Sequence, residues 1–386
     1  MALPPSGASA APLRELARVF LRLGATAFGG PAAHVALMEE ELVRRRGWLS
    51  HAEFLDLLGA TNLIPGPNST ELAIHIGHRR AGWPGLVVAG ACFILPAAFS
   101  VTALAWVYVR FGAMPELAGI LYGVKPVVIA VVAQALWGLA RTAIRSAWLA
   151  AVALAAGAAN ALGADELSVL AACGGAALAV QLAKSRAGKS RVAALLGTAS
   201  LGAGAASAPA AVALWPLFAF FLKVGSVLFG SGYVLLAFLR TGLVEQRGWL
   251  SEAQLLDAVA VGQVTPGPVF TTATFIGYLL AGVPGAAVAT LGIFLPAFVF
   301  VAVSAPLIPR LRASPLAAAL LDAVNAASLA LMAVVTAYLV RAALVDLPTV
   351  ALAAASAVVL FRFRSVSSTW LLLAGALIGL AVYRQV

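Results

Sequence analysis

The sequence predicts an all-α polytopic membrane protein made of two homologous halves in inverted topology. Each half carries a broken or re-entrant helix pair at a Pro-Gly-Pro motif. Three observations support this. Of 386 residues, 62% are hydrophobic and 10% charged, against about 25% charged in a soluble domain. The chain repeats itself at a fixed offset. The loop charges alternate in opposite phase in the two halves.

Mean hydropathy is +0.99. Apolar stretches at 86–109, 127–140, 167–183, 284–308 and 369–383 approach or exceed the roughly 20 residues of a spanning helix, and about ten such spans are expected. The opening "MALPPSGASA" has no basic region followed by an apolar core, so no removable signal peptide is expected. Cys92 and Cys173 lie in apolar segments, where thiols behave as small hydrophobes; neither a disulfide, a metal nor a cofactor is expected. The net charge of +10 follows from Lys and Arg gathering in cytoplasmic loops, so no nucleic-acid partner is expected. A Walker-type phosphate loop is lacking, as are H-E-x-x-H and Asp-rich motifs. An enzyme is therefore not expected, including one acting on phosphorylated lipids.

The repeat appears when "FLRLGATAFGG" (20–30) is laid on "FLKVGSVLFGS" (221–231), and "RGWLS" (46–50) on an identical "RGWLS" (247–251). The offset slips by one after the Pro-Gly-Pro motifs, pairing "AGWPG" (81–85) with "AGVPG" (281–285). The expected domains are residues 1–183 and 216–386, joined by a basic, then Ala/Gly-rich linker at 184–215 that has room for an extra span. Loops after matched helices are basic in one half where they are neutral or cancelling in the other. By the positive-inside rule the halves face opposite ways, as in many secondary transporters.

Ser50 with Glu53, and Ser251 with Gln254, fit the capping box, so a helix begins after each "RGWLS". Each helix stops at a Pro-Gly-Pro: Pro65, Gly66 and Pro67 in the first half, Pro266, Gly267 and Pro268 in the second. A stretch of 51–64 spans roughly 21 Å, short of a ~30 Å hydrocarbon core. A second short helix is expected over 68–78. The pair forms either a re-entrant hairpin or one discontinuous span. Backbone freed at such a break is tolerated at membrane depth only where it lines a cavity or is buried in protein. The N-terminus of the following helix offers free N–H groups and partial positive charge. Asn68, Ser69 and Thr70, and in the twin Thr271 and Thr272, add side-chain donors for a small oxyanion.

Arg22 and its twin Lys223 sit inside apolar helices, where charge is costly and usually functional. Gly29 and Gly30 of "AFGG" follow Arg22 and are counted with it among the substrate-binding residues. Lys125, with twin Asn325, is a third cation candidate. Glu71 is expected to carry a coupling proton or to pair with a buried cation such as Lys125. His34 and His75 rank below it. Asp56 and Asp257, matched in the two halves, are explained as well by capping or a solvated helix face as by function.

At "FGGPAAH", "FLDLLGATNLIPGPNSTELAIHIG" (54–77), "GWPG", "ILPA" and "YGVKPVVIA" (122–130) the chain resembles the chromate ion transporter family in its long two-domain form. The resemblance implies an efflux carrier for chromate, a sulfate-like dianion, in an inner membrane of bacterial type. It further implies drive by membrane potential or proton gradient, and chromate resistance. The second copy departs at "PGPVFTT", so the roles of Asn68 and Glu71 do not carry over to Val269 and Thr272. The expected partners are the oxyanion and the lipid bilayer, and a homodimer is a compatible assembly. A carrier of sulfate or another oxyanion, and a passive anion channel, are the alternatives.

Overall fold

The computed structural model describes residues 10–28, 30–112, 114–186, 213–229, 234–304, 314–363, 366 and 368–383, all helical or turn, with no strand among them. The first half runs through α1 (Ala10–Thr26), α2 (Gly30–Met38) continuing into a π segment (Glu39–Arg45), α3 (His51–Thr61), α4 (Asn68–Phe111), α5 (Pro115–Ala143), α6 (Ala147–Ala161) and α7 (Glu166–Arg186). The second repeats it: α8 (Leu214–Val227), α9 (Leu235–Leu239) and a π segment (Arg240–Glu245), α10 (Glu252–Val264), a 3₁₀ turn (Val269–Thr271), α11 (Thr272–Ser304), α12 (Pro315–Ala343), α13 (Leu347–Arg362) and α14 (Ser368–Tyr383). Helices α4, α5, α7, α11 and α12 are long and apolar enough to cross a membrane, and α6, α8, α13 and α14 are shorter apolar helices.

Local chemistry explains the helix ends. Ser50 and Ser251 each accept from the backbone N–H three residues on, and Glu53 and Gln254 return the bond to the cap's own N–H. Both α4 and α11 turn back on themselves. At Ala81–Gly82 and Ala281–Gly282 the backbone leaves the helix, the glycines at φ 59° and 61°. That conformation costs a residue with a Cβ dearly. Beyond the turn, Gly77 lies against the Gly85 carbonyl and Ala89, and Thr274 bonds Thr290 at 2.7 Å. The expected helix over 68–78 is thus the first limb of a helical hairpin. The second limb, 83–111, is about 43 Å long at ~1.5 Å per residue, enough to span.

The choice between re-entrant hairpin and discontinuous span is decided by charges 26 residues apart. Glu53 at the start of α3 is ion-paired to Arg79 at the end of the first limb of α4. Helix α3 and this limb therefore open to the same side, with the Pro-Gly-Pro at their tip. The same end holds Glu15, at the start of α1, 3.0 Å from Arg46 and 3.4 Å from Arg80, while Arg80 stacks on Trp48 at 4.6 Å. Such exposed pairs contribute little stability singly, but they fix where the hairpins open. The pair α1–α2 is a second hairpin, turning after Thr26.

The hairpin tips of the two halves dock reciprocally. Gly66 N–H donates to the Leu228 carbonyl and Gly267 N–H to the Ala27 carbonyl, both at 2.8 Å. Gly66 and Gly267 are twins, and so are Ala27 and Leu228, so the two bonds are related by a pseudo-two-fold axis. Twin spans run in opposite directions. Gly90, early in the second limb of α4, lies against Phe298, late in α11, and Leu86 clusters with Ala297 and Val301. Helix α5 crosses α14 through Gly119 and Gly123 against Gly379 and Gly375, again with numbering opposed. Small residues permit this backbone approach, the usual basis of helix association in lipid. Helices α12, α13 and α14 follow one another with only a few residues between them, so α12 and α14 run the same way and α5 is antiparallel to its twin α12. The repeat is inverted. Single cysteines at Arg80 and Leu280, in a chain cleared of Cys92 and Cys173, are expected to react with an impermeant thiol reagent from opposite sides; labelling from one side would contradict the inversion.

Candidate functional site

A cavity of about 490 Å³ lies where the two Pro-Gly-Pro tips meet. Its walls are Asn62, Pro67, Asn68 and Ser69 from the first half, Pro268, Val269 and Phe270 from the second, one face of α12, and the end of α5 with the turn to α6. This is the use of a helix breaker at membrane depth: the freed backbone borders a cavity. The carbonyl of Pro67 takes the N–H groups of Thr70 and Glu71. Those of Asn68 and Ser69, at the N-terminus of α4, have no acceptor among the described residues. The Asn68 amide also donates to Asn62 Oδ1 at 2.8 Å, which holds the two amides together on one wall.

Ser69 is oriented by His34, which is buried on α2. His34 Nε2 lies 3.1 Å from the Ala27 carbonyl and Nδ1 3.2 Å from Ser69 Oγ. A carbonyl only accepts, so the neutral ring carries its proton on Nε2 and Nδ1 accepts the Ser69 hydroxyl proton. Ser69 then presents oxygen lone pairs, and its backbone N–H, to the cavity. The Ala27 carbonyl also receives the Gly267 N–H, so His34 joins both tips.

Arg145, Asp322, Asn325 and Ser328 complete the polar lining. Arg145 is the one basic side chain on the wall among the described residues; its Nε donates to the Thr142 carbonyl at 2.7 Å, which aims the guanidinium while leaving its other donors available. Asp322 shares the wall without an ion pair among the described residues. Ser328 Oγ is buried and has no hydrogen-bond partner there. None of these was picked out as a site residue in the sequence. Arg145 reads there as a loop charge, and Asp322 replaces a tyrosine in the twin position. The only available signal was Asn325 as the twin of Lys125.

The remaining expected residues are dispersed. Thr70 is buried behind the wall, its hydroxyl without a hydrogen-bond partner among the described residues. Thr271 Oγ1 donates to the Pro268 carbonyl at 2.8 Å, and Thr272 packs on Gly262. Arg22, 64% exposed, lies 4.0 Å from Glu41 and outside the cavity. Lys223 lines a separate small cavity of about 30 Å³ beside Asp165, Glu166 and Arg247. Gly30 starts α2 at φ 79°, and Gly29 lies outside the described residues. Lys125 is not the partner of Glu71. Its Nζ is 2.9 Å from Asp257 Oδ1, and Tyr108 donates to Asp257 Oδ2 at 2.8 Å. The solvated-face reading of Asp257 gives way to an ion pair across the two halves, in which Asp257 is buried and Lys125 half-buried. Glu71 is fully buried, its carboxyl seated on Gly66 and both oxygens without hydrogen-bond partners among the described residues.

Inverted repeats, re-entrant hairpins and a chamber at their tips that carries a few polar groups define a multi-pass integral membrane transporter. A sequence model of the family described as chromate transporter matches residues 14–181 and 215–380, and the chain belongs to that family. It is 34% identical over 381 residues to a chromate transport protein of Cupriavidus metallidurans, covering 96% of this chain and 93% of that one. It is 34% identical over 341 residues to a probable chromate transport protein of Synechococcus elongatus, with 87% of each chain covered. A chromate transport protein of Pseudomonas aeruginosa is also 34% identical, over 73% of this chain and 70% of that one. No solved structure matches the chain.

Proposed function

We infer that the chain is a secondary active transporter that exports chromate, or a sulfate-like oxyanion, and so confers chromate resistance. The observation carrying this reading is the cavity of about 490 Å³ bordered by both Pro-Gly-Pro tips. It sets Arg145, the Asn68 and Ser69 N–H groups and the Asn62, Asn68 and Asn325 amides around a space large enough for a tetrahedral dianion with part of its water. Charge-assisted bonds from a guanidinium and helix-end N–H groups are the strong kind for such an anion. Three relatives bear chromate transport in their names. Asp322 opposes a dianion unless balanced by Arg145, which favours a site that releases its ligand over one that traps it.

Drive by membrane potential or proton gradient is part of this reading, with Glu71 as the proton-carrying group. Inverted vesicles are expected to take up labelled chromate saturably, and faster with an imposed gradient. Excess sulfate competes if the site reads only shape and charge. Non-saturating flux indifferent to the gradient would instead assign a passive channel.

A further inference from the structure

The cavity lies beside the docked tips, lined by α12, and the pseudo-two-fold axis says what its counterpart beside α5 must be. The α12 residues Leu321, Asp322 and Asn325 on the cavity wall have Leu121, Tyr122 and Lys125 of α5 as twins at an offset of 200. The register is anchored by Ser146 and Asp346, the matched N-caps of α6 and α13. On the α5 side each polar twin bonds a carboxylate from the second half. Asp257 Oδ1 sits 2.9 Å from Lys125 Nζ, and Tyr122 donates to Asp346 Oδ2 at 2.6 Å. Tyr108 holds the other oxygen of Asp257. The partner of Lys125 is thus an anion of this chain, placed where Asn325 borders the cavity in the twin.

We propose that the α5 wall around Lys125 is a second binding site for the tetrahedral oxyanion, closed here because Asp257 occupies it, and that the two walls open alternately on opposite sides of the membrane. The inference rests on the cavity being the substrate chamber. In an inverted repeat the opposite-facing state is reached by exchange of the two halves' conformations. That exchange gives α5 the cavity that α12 lines now. Lys125 then loses Asp257, and a half-buried ammonium left without its partner favours an anion, so an incoming dianion takes the carboxylate's place. Asp257 seals the empty wall and yields to substrate. This also accounts for a lysine in the first half and an asparagine at its twin: the two faces hold the same anion with different strength, Arg145 serving one and Lys125 the other.

The test reads opening rather than flux. In a chain with Cys92→Ala and Cys173→Ala, single cysteines at Leu121 and Leu321 are exposed to an impermeant thiol reagent from each side. With Lys125 and Asp257 intact, Leu321→Cys should react faster than Leu121→Cys. Asp257→Asn should raise labelling of Leu121→Cys several-fold, from the side opposite to that which labels Leu321→Cys, and lower that of Leu321→Cys. Added chromate should then slow labelling of Leu121→Cys, and cease to do so when Lys125→Gln is combined. The double variant Lys125→Asn with Asp257→Asn, which buries no lone charge, repeats the opening measurement should Asp257→Asn fail to reach the membrane. Unchanged labelling at both positions, labelling of both from one side, or protection by chromate that persists without Lys125 would each overturn the proposal. Vesicle uptake that succeeds while labelling is unmoved leaves the transport reading standing and removes this one alone.

Discussion

Glu71→Gln is expected to leave the protein folded in the membrane, to reduce gradient-driven net flux of oxyanion to the passive leak, and to spare exchange of anion for anion. Gln has nearly the size of Glu and cannot lose a proton. Glu71 is fully buried, and neither of its carboxyl oxygens has a hydrogen-bond partner among the described residues. An ionised carboxylate in such a place goes uncompensated, at an effective cost of several kcal/mol. The neutral amide should therefore be tolerated at least as well. What the amide removes is the ability to change charge. Glu71 lies in the first turn of α4, whose partial positive end favours an anion there, so the charged form is reachable when the tip moves. Its carboxyl rests on Gly66, in the loop that borders the substrate cavity and bonds to the opposite half. Loss or gain of the proton is thus felt at the docked tips. The measurement is paired: net uptake under an imposed proton gradient, and exchange at zero gradient with labelled anion on one side. Normal gradient-driven flux in the Gln variant would remove Glu71 from coupling. Equal loss of both modes would make its role structural, and since Lys125 is held by Asp257, that role could not be pairing with Lys125.

The parts of this molecule legible in its sequence are those with local causes. The capping boxes, the stops at Pro-Gly-Pro and the inverted repeat follow from residues a few positions apart or from a repeat read directly. Asn68 and Ser69 were found because a helix beginning after Pro67 must present free N–H groups. What depended on long-range pairing was not legible. Whether α3 and the first limb of α4 form a re-entrant pair turned on Glu53 and Arg79, each of which alone reads as a surface charge. Arg145 enters the site only because the end of α5 lies beside the tips, and its sequence context, a turn between apolar helices, signals orientation. Arg22 and Lys223 drew attention as matched cations in apolar helices, yet sequence cannot show that their faces of α1 and α8 point away from the cavity. The one missed partner with a readable clue was Asp257, an acidic residue in a strongly apolar stretch whose first-half twin Asp56 is exposed.

Gly66→Ala and Gly267→Ala are each expected to lower oxyanion transport at least a hundred-fold, by breaking the reciprocal docking of the tips. Gly66 is at φ 140° and Gly267 at φ 85°, where a residue with a Cβ is strained by about 1–3 kcal/mol. Space adds to this. A methyl at Gly66 would fall on the Glu71 carboxyl, and one at Gly267 would stand 2.7 Å from Ala97 Cβ and 3.1 Å from the Gly24 carbonyl. Relief of the backbone strain rotates the N–H away from Leu228 or Ala27, losing a buried hydrogen bond between the halves at a further ~0.5–1.5 kcal/mol. The two sites should differ in rescue. At Gly267 the obstacle includes a side chain that can be shortened, so Ala97→Gly in the Gly267→Ala chain should return part of the transport. The Gly24 carbonyl cannot retreat, because Gly24 itself packs on the Phe93 and Cys92 carbonyls, so the return should be incomplete. At Gly66 the obstacle is Glu71, and Glu71→Ala makes room while removing the proposed coupling group; stability should recover without gradient-driven flux. Transport rates, the amount of protein in the membrane and thermal unfolding in detergent are measured together. Near-normal transport in both alanine variants would show that the tips do not depend on this docking, and full rescue of gradient-driven flux by Glu71→Ala would dissociate Glu71 from coupling.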